Sequence, residues 1–209
     1  MKPTLKAIAC TAVVLLVPLF VSAQVDHFGN IDTVYADLAK IDAYNWTITV
    51  SYTNDEPVAG LSIPLKMTAG LNRIVADSAV YTGGRVEKFA LKAFRADTAI
   101  QCAMLGMVAN LGPTNNVLPV GKGRLVTVFV SSLDNKPIEK LAVDTTTMQP
   151  NNSLMVVADR IELNKLGDSI LPQENEKLQI IPVFVTRQAN EPVKEKVTEK
   201  AEVKKETEK

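Results

Sequence analysis

The chain has 209 residues, with 23 basic and 23 acidic side chains, one histidine and two cysteines. A zero formal balance offers nucleic acid or an anionic membrane surface no electrostatic reason to bind. One histidine and two cysteines are too few for a zinc site, while the 46% hydrophobic content is enough for one sizeable core rather than two.

At the N-terminus, Lys2 and Lys6 precede the apolar run AIACTAVVLLVPLFV, and Val21-Ser22-Ala23 offers a small-residue cleavage pattern. Residues 1–23 therefore read as a signal peptide cut between Ala23 and Gln24. The uncharged stretch from Ala7 to Ala23 is 17 residues long and contains Pro18, at the short limit for a membrane span, so no span is expected after cleavage. Cys10 lies at the start of the apolar run instead of its end, which argues against lipidation. Cys102 is then the sole cysteine of the mature chain, and no internal disulfide is expected. Export places the protein as secreted or periplasmic, or on the cell surface.

Residues 24–31 are expected to form a flexible N-terminal segment and residues 32–188 a single folded domain. WTITVSY sets Trp46, Ile48, Val50 and Tyr52 on one face and Thr47, Thr49 and Ser51 on the other, the period of a half-buried strand. Asn54-Asp55-Glu56-Pro57 ends it with turn-forming residues. GLSIPLKM follows as a strand whose Pro64 points to an edge or a bulge. RIVADSAVY is next, closed by Thr82-Gly83-Gly84. In RVEKFALKAFRAD, helical and strand patterns are nearly balanced over residues 85–95, and the neighbouring strands tip the reading to strand. AIQCAMLGMVAN, GRLVTVFVSS, KLAVDT, NSLMVVAD and LQIIPVFVT complete the series. GRLVTVFVSS has Val126, Val128 and Val130 on one face and Leu125, Thr127 and Phe129 on the other, both largely apolar, which suits an interior strand. In LQIIPVFVT, Ile181, Val183 and Val185 are expected to supply the buried face. Closely spaced strands with little helical period predict an all-β fold, an antiparallel β-sandwich.

The succession VSYTNDEPVAGLSIPLKM, ADSAVYTGGRVEKF, AMLGMVANLG and LPVGKGRLVTVFV resembles the cohesin-like domains of secreted bacterial proteins, which share a jelly-roll β-sandwich with certain cellulose-binding modules. The likeness runs from about Asp32 to Thr186 and is strongest at Leu118-Pro119 and Gly121-x-Gly123-x-Leu125-Val126-Thr127. The resemblance implies a jelly-roll, cohesin-like sandwich that attaches to a protein, dockerin-like or of the cell envelope, with no catalytic residue. The chain carries no duplicated Asp-x-Asn-x-Asp-Gly loop of its own, so it contains no dockerin.

Candidate chemistry is sparse. Gly121-Lys122-Gly123-Arg124 is followed by a strand and lacks the hydroxyl residue after lysine, so it reads as a turn and not as a phosphate-binding loop. His27 and Cys102 are the candidates for nucleophilic chemistry, one near a chain end and the other in an apolar run. Glu174 and Glu176 form the nominal acid pair of a hydrolase, in a polar stretch without a desolvating cleft. Asp55/Glu56, Asp159/Glu162 and Asp168 are the oxygen ligands that calcium could use, and read as solvated turn acids. Asn45 and Asn151 fit the glycosylation acceptor pattern. No catalytic residue, metal site or cofactor is assigned from the sequence.

Residues 189–209 form a Lys/Glu-rich tail. EPVKEKVTEKAEVKKETEK holds six Lys and six Glu without an apolar face, and is expected to stay solvated. The reading is a non-enzymatic exported protein-binding or structural module. Its alternative is a carbohydrate-binding module on the same sandwich, for which an exposed aromatic such as Tyr81 would be the platform.

Overall fold

The structure is a computed structural model that describes residues 26–112 and 116–188. The signal peptide with its Ala23/Gln24 junction and the Lys/Glu tail lie outside the described residues.

Two sheets face one another across one core. The first is built from β11 (Val183–Gln188), β1 (Thr33–Lys40), β2 (Asn45–Asn54), β7 (Gly121–Ser132) and β4 (Ile74–Val80), in that order. The second runs β10 (Gln179–Ile180), β9 (Met155–Ala158), β3 (Val58–Thr68), β6 (Cys102–Val108) and β5 (Leu91–Asp97), with β8 (Ala142–Thr145) also paired to β3. The chain passes repeatedly from one sheet to the other. This is the expected β-sandwich, antiparallel throughout its described ladders save one, since β1 pairs with β11 in parallel.

The core follows from alternation along the strands. On β2, Trp46, Ile48, Val50 and Tyr52 are buried while Thr47, Thr49 and Ser51 are half-exposed, as the period of two requires. Leu61, Ile63, Leu65 and Met67 of β3 and Ala103, Leu105 and Met107 of β6 close the core from the other sheet. Trp46 keeps its indole N–H satisfied by donating to the Ile138 carbonyl at 3.2 Å.

Several local expectations need correcting, each for a physical reason. Pro64 sits in β3, the most extensively paired strand of its sheet, and not at an edge. On one side β3 pairs with β9 only as far as Ser62 and with β8 only from Leu65. The Pro64 carbonyl faces that gap, accepting from Thr145, so the missing N–H falls where no ladder bond was available. Leu125 is fully buried instead of facing outward. A bulge leaves Val50 opposite Val126 and Ser51 opposite Arg124, so Leu125 is the extra residue and both it and Val126 turn inward. Residues 85–88 form turns instead of strand, with Val86 and Phe89 buried, and the strand begins at Leu91.

LQIIPVFVT is not one strand. Pro182 separates β10 from β11, which belong to different sheets, and the phase changes with it. Leu178 and Ile180 are buried and Phe184 packs against the core, whereas Ile181 is exposed and Val183 and Val185 are only half-buried. A helix was also not anticipated: α1 (Arg160–Leu166) starts at Asp159, whose side chain accepts from the Glu162 N–H, and ends at Gly167 in the left-handed region.

A chain ending at Lys177 is therefore expected to lose on the order of 3–6 kcal/mol, from the two buried aliphatic side chains Leu178 and Ile180 alone. A chain ending at Asn190 should melt within about 2 °C of the longer protein, because the Lys/Glu segment has no apolar face to bury. Thermal melts of the two truncations check both expectations.

Candidate functional site

The two sheets present chemically different outer faces. On the β11-β1-β2-β7-β4 sheet, one row reads Val185, Tyr35 and Ser51 across the strands, and the next reads Arg187, Asp37, Thr49, Thr127 and Val80. A third holds Ala39, Thr47, Phe129 and Ser78. Hydroxyls and charges dominate. Arg187 pairs with Asp37 and lies 4.3 Å from the Tyr35 ring centroid, with Lys122 also over that ring at 5.6 Å.

The outer face of the other sheet is apolar. Its register aligns Leu91, Val108, Gly60 and Val157 in one row, then Ala93, Gly106, Ser62 and Met155, then Arg95, Met104 and Pro64. Leu91 and Ala93 are exposed, and Met104, Gly106, Val108, Gly60, Met155 and Val157 are half-exposed. A last row, Asp97, Cys102, Lys66 and Asp144, supplies a charged border. The face is smooth because Gly60 and Gly106 carry no side chain, and adaptable because its largest groups are methionines.

The second feature is a knot of carboxylates where the N-terminal segment meets the turn between β2 and β3. Asp26, Asp32, Asp55 and Glu56 each present an oxygen, all within 4.8 Å of one another. Phe28 packs against the core, and Asn30 donates to Asp55 through its backbone N–H and its side-chain amide. Asp26 accepts from the N–H groups of Phe28 and Asp32, and Asp32 accepts from the Tyr52 hydroxyl. Burial, reinforced by the neighbouring carboxylates, pushes the carboxyls of Asp32 and Glu56 well above the usual range. Glu56 is therefore not the solvated turn acid the sequence suggested: it is 2% exposed.

The other acids stay apart from this knot. Asp159 caps α1, Glu162 pairs with Lys165, and Asp168 is exposed. Glu174 is held below the usual carboxylate range by Lys177 and the Leu171 N–H, the opposite of what a general acid needs. Glu176 is exposed. A cleft of about 550 Å³ lies beside β8 and β11, lined by Asp144, three threonines and Phe184 among others; neither Glu174 nor Glu176 reaches it. His27 is exposed, and Cys102 is buried, which pushes its thiol up and away from nucleophilic use.

Tyr81 is not a free platform for a sugar. It packs partly into the core and its hydroxyl donates to the Ala93 carbonyl at 3.0 Å. Gly121-Lys122-Gly123-Arg124 is not the turn the sequence suggested: these residues are the first of β7, paired with Asn54, Thr53, Tyr52 and Ser51 of β2, with Gly121 at φ 141°. Gly123 leaves room for Arg85, whose guanidinium donates to the carbonyls of Tyr52, Gly121 and Pro119 and to the Asn54 side chain. The Asn45 side chain is bound by Asp42.

No family model matches the chain, and no curated protein does. The chain is similar in fold to solved cohesin modules. One is the cohesin of a Coh-OlpA-Doc918 complex from Clostridium thermocellum, at 8% identity and a TM-score of 0.47, covering 76% of this chain and 99% of that one. A second is CaCohA2 from Clostridium acetobutylicum, at 12% identity and TM-score 0.45, over 62% and 81%. A third is the second type II cohesin module of the ScaA scaffoldin of Acetivibrio cellulolyticus, at 9% identity and TM-score 0.44, over 77% and 96%. At these identities the likeness does not extend to the role of any residue. Among the described residues no helix is long and apolar enough to cross a membrane.

Proposed function

We propose that the protein is a non-enzymatic, exported binding or structural module that docks a protein partner on the outer face of β5, β6, β3 and β9, with the Lys/Glu tail as a spacer. One observation carries this reading: of the two outer faces, that one alone is lined by aliphatic, methionine and glycine residues with a charged border. Apolar surface of this kind, ringed by polar groups, is the composition of an interaction site. The fit is to a protein and not to a glycan, since the rows hold no aromatic ring and Tyr81 is engaged elsewhere. Following the sequence resemblance, a dockerin-like or envelope protein is the first partner to try. The apolar signal run of residues 1–23 supports an exported setting.

The test is capture from secreted and envelope fractions on the immobilised protein, in parallel with a glycan array. Recovery of a protein in stoichiometric amount, with no saturable glycan signal, supports the reading. Saturable glycan binding without a protein partner overturns it in favour of the carbohydrate-binding alternative.

A further inference from the structure

We propose that Asp26, Asp32, Asp55 and Glu56 hold a calcium ion, which clamps the N-terminal segment to the turn between β2 and β3. The inference rests on where the acids' oxygens point and on which donors they lack. Asp32 uses one oxygen to accept from Tyr52, and Asp55 uses one to accept from Asn30. The other oxygen of each is buried and meets no donor. Glu56 goes further: it is 98% removed from solvent, and neither of its oxygens has a hydrogen-bond donor. No ion pair among the described residues involves any of the four acids. The nearby Arg85 spends its donors on three carbonyls and the Asn54 side chain. A buried carboxyl that no donor reaches must either keep its proton or be completed by a cation.

The four ligand oxygens all lie within 4.8 Å of one another, close enough for a single ion to touch each of them. Calcium accepts such carboxylate sets in flexible geometry with about six to eight oxygens, whereas magnesium demands a near-ideal octahedron. The donor set is oxygen only, which suits a hard cation and not zinc or copper. Glu56 has both oxygens free and can bind through either or both. The exposed side of Asp55 leaves room for water to complete a coordination number of about six to eight. The bonds from Tyr52, Asn30 and the Phe28 N–H orient the ligands from outside, the usual role of groups behind a metal ligand.

The fold gives the ion a purpose. Asp26 and Asp32 precede β1, while Asp55 and Glu56 lie between β2 and β3, so a bound ion joins the start of the domain to the point where the chain changes sheet.

The experiment is a thermal melt and a calorimetric titration of the protein as cells export it, after dialysis against EDTA, with calcium and then with magnesium. Calcium at roughly a hundredfold above its Kd is expected to raise Tm by about 5–10 °C, for one ion per chain. Magnesium is expected to give a clearly smaller shift. In EDTA, Glu56→Gln should melt no lower than wild type, since it removes one of the crowded carboxylates, and it should lose the calcium shift. Asp55→Asn, at a half-buried position, provides a second variant with a reduced shift. Absence of both heat and Tm change with millimolar calcium overturns the proposal, as does a calcium shift retained in full by both variants. An equal response to magnesium overturns the assignment to calcium.

Discussion

Replacing Gly84 by alanine is expected to lower the melting temperature by roughly 6–12 °C, corresponding to about 3 kcal/mol in a domain of this size. A Cβ at Gly84 would sit 2.1 Å from the Leu125 carbonyl oxygen and 2.9 Å from that of Tyr81. Both obstacles are backbone, so no side chain can swing aside. Leu125 is the extra residue of the β7 bulge, and next to it the Arg85 N–H donates to the Arg124 carbonyl at 2.8 Å. Making room means lifting the 81–90 segment off β7 and loosening Val86 and Phe89, both buried in the core. Gly112, where a Cβ meets nothing within 4 Å, is the comparison. Gly112→Ala should leave Tm within about 2 °C of wild type, because only the entropy of the unfolded chain changes.

The second large effect concerns binding and not stability. Gly106→Arg is expected to weaken the partner complex at least thirtyfold, on the order of 2 kcal/mol, the effect of placing a charge at the centre of a desolvated contact. Gly106 lies mid-row between Ala93 and Ser62. A Cβ there meets only the Ala93 methyl, at 3.7 Å, so the new side chain can extend into solvent without strain. The free protein should melt close to wild type. Thr49→Arg, at the same depth on the hydroxyl-rich face, should leave affinity unchanged. Titration of the captured partner against the three proteins reads the difference.

How far the sequence could show this depends on whether each signal was local. The alternation from Trp46 to Tyr52 was legible because β2 buries one face only. The interior place of β7 was legible from its two apolar faces. Leu125 was misassigned because a single bulge residue flips the phase, and nothing in a run of apolar residues marks where the flip occurs. Ile181, Val183 and Val185 were assigned to the core on the assumption of one unbroken strand, whereas Pro182 hands the chain from one sheet to the other. The signal for α1 was present, an aspartate three residues before a glutamate with a glycine after the last turn, but a 7-residue helix among strands carries too little period to stand out.

The sites were less legible than the fold. Asp55 and Glu56 occupy a turn, and turn acids are ordinarily solvated. Glu56 is buried where its turn meets the segment carrying Asp26 and Asp32, a contact no local pattern encodes. The apolar face was hidden differently. Gly60, Met104, Gly106 and Met155 are unremarkable one by one, and they form a surface only when the register of β5, β6, β3 and β9 sets them in rows.

The docking face is tested most directly by site-specific photo-crosslinking. A photoreactive side chain in place of Met104 is compared with one in place of Thr49, in the presence of the secreted and envelope fractions. A discrete protein adduct from position 104, and none from position 49, is the expected result. An adduct from position 49 with none from position 104 would contradict it.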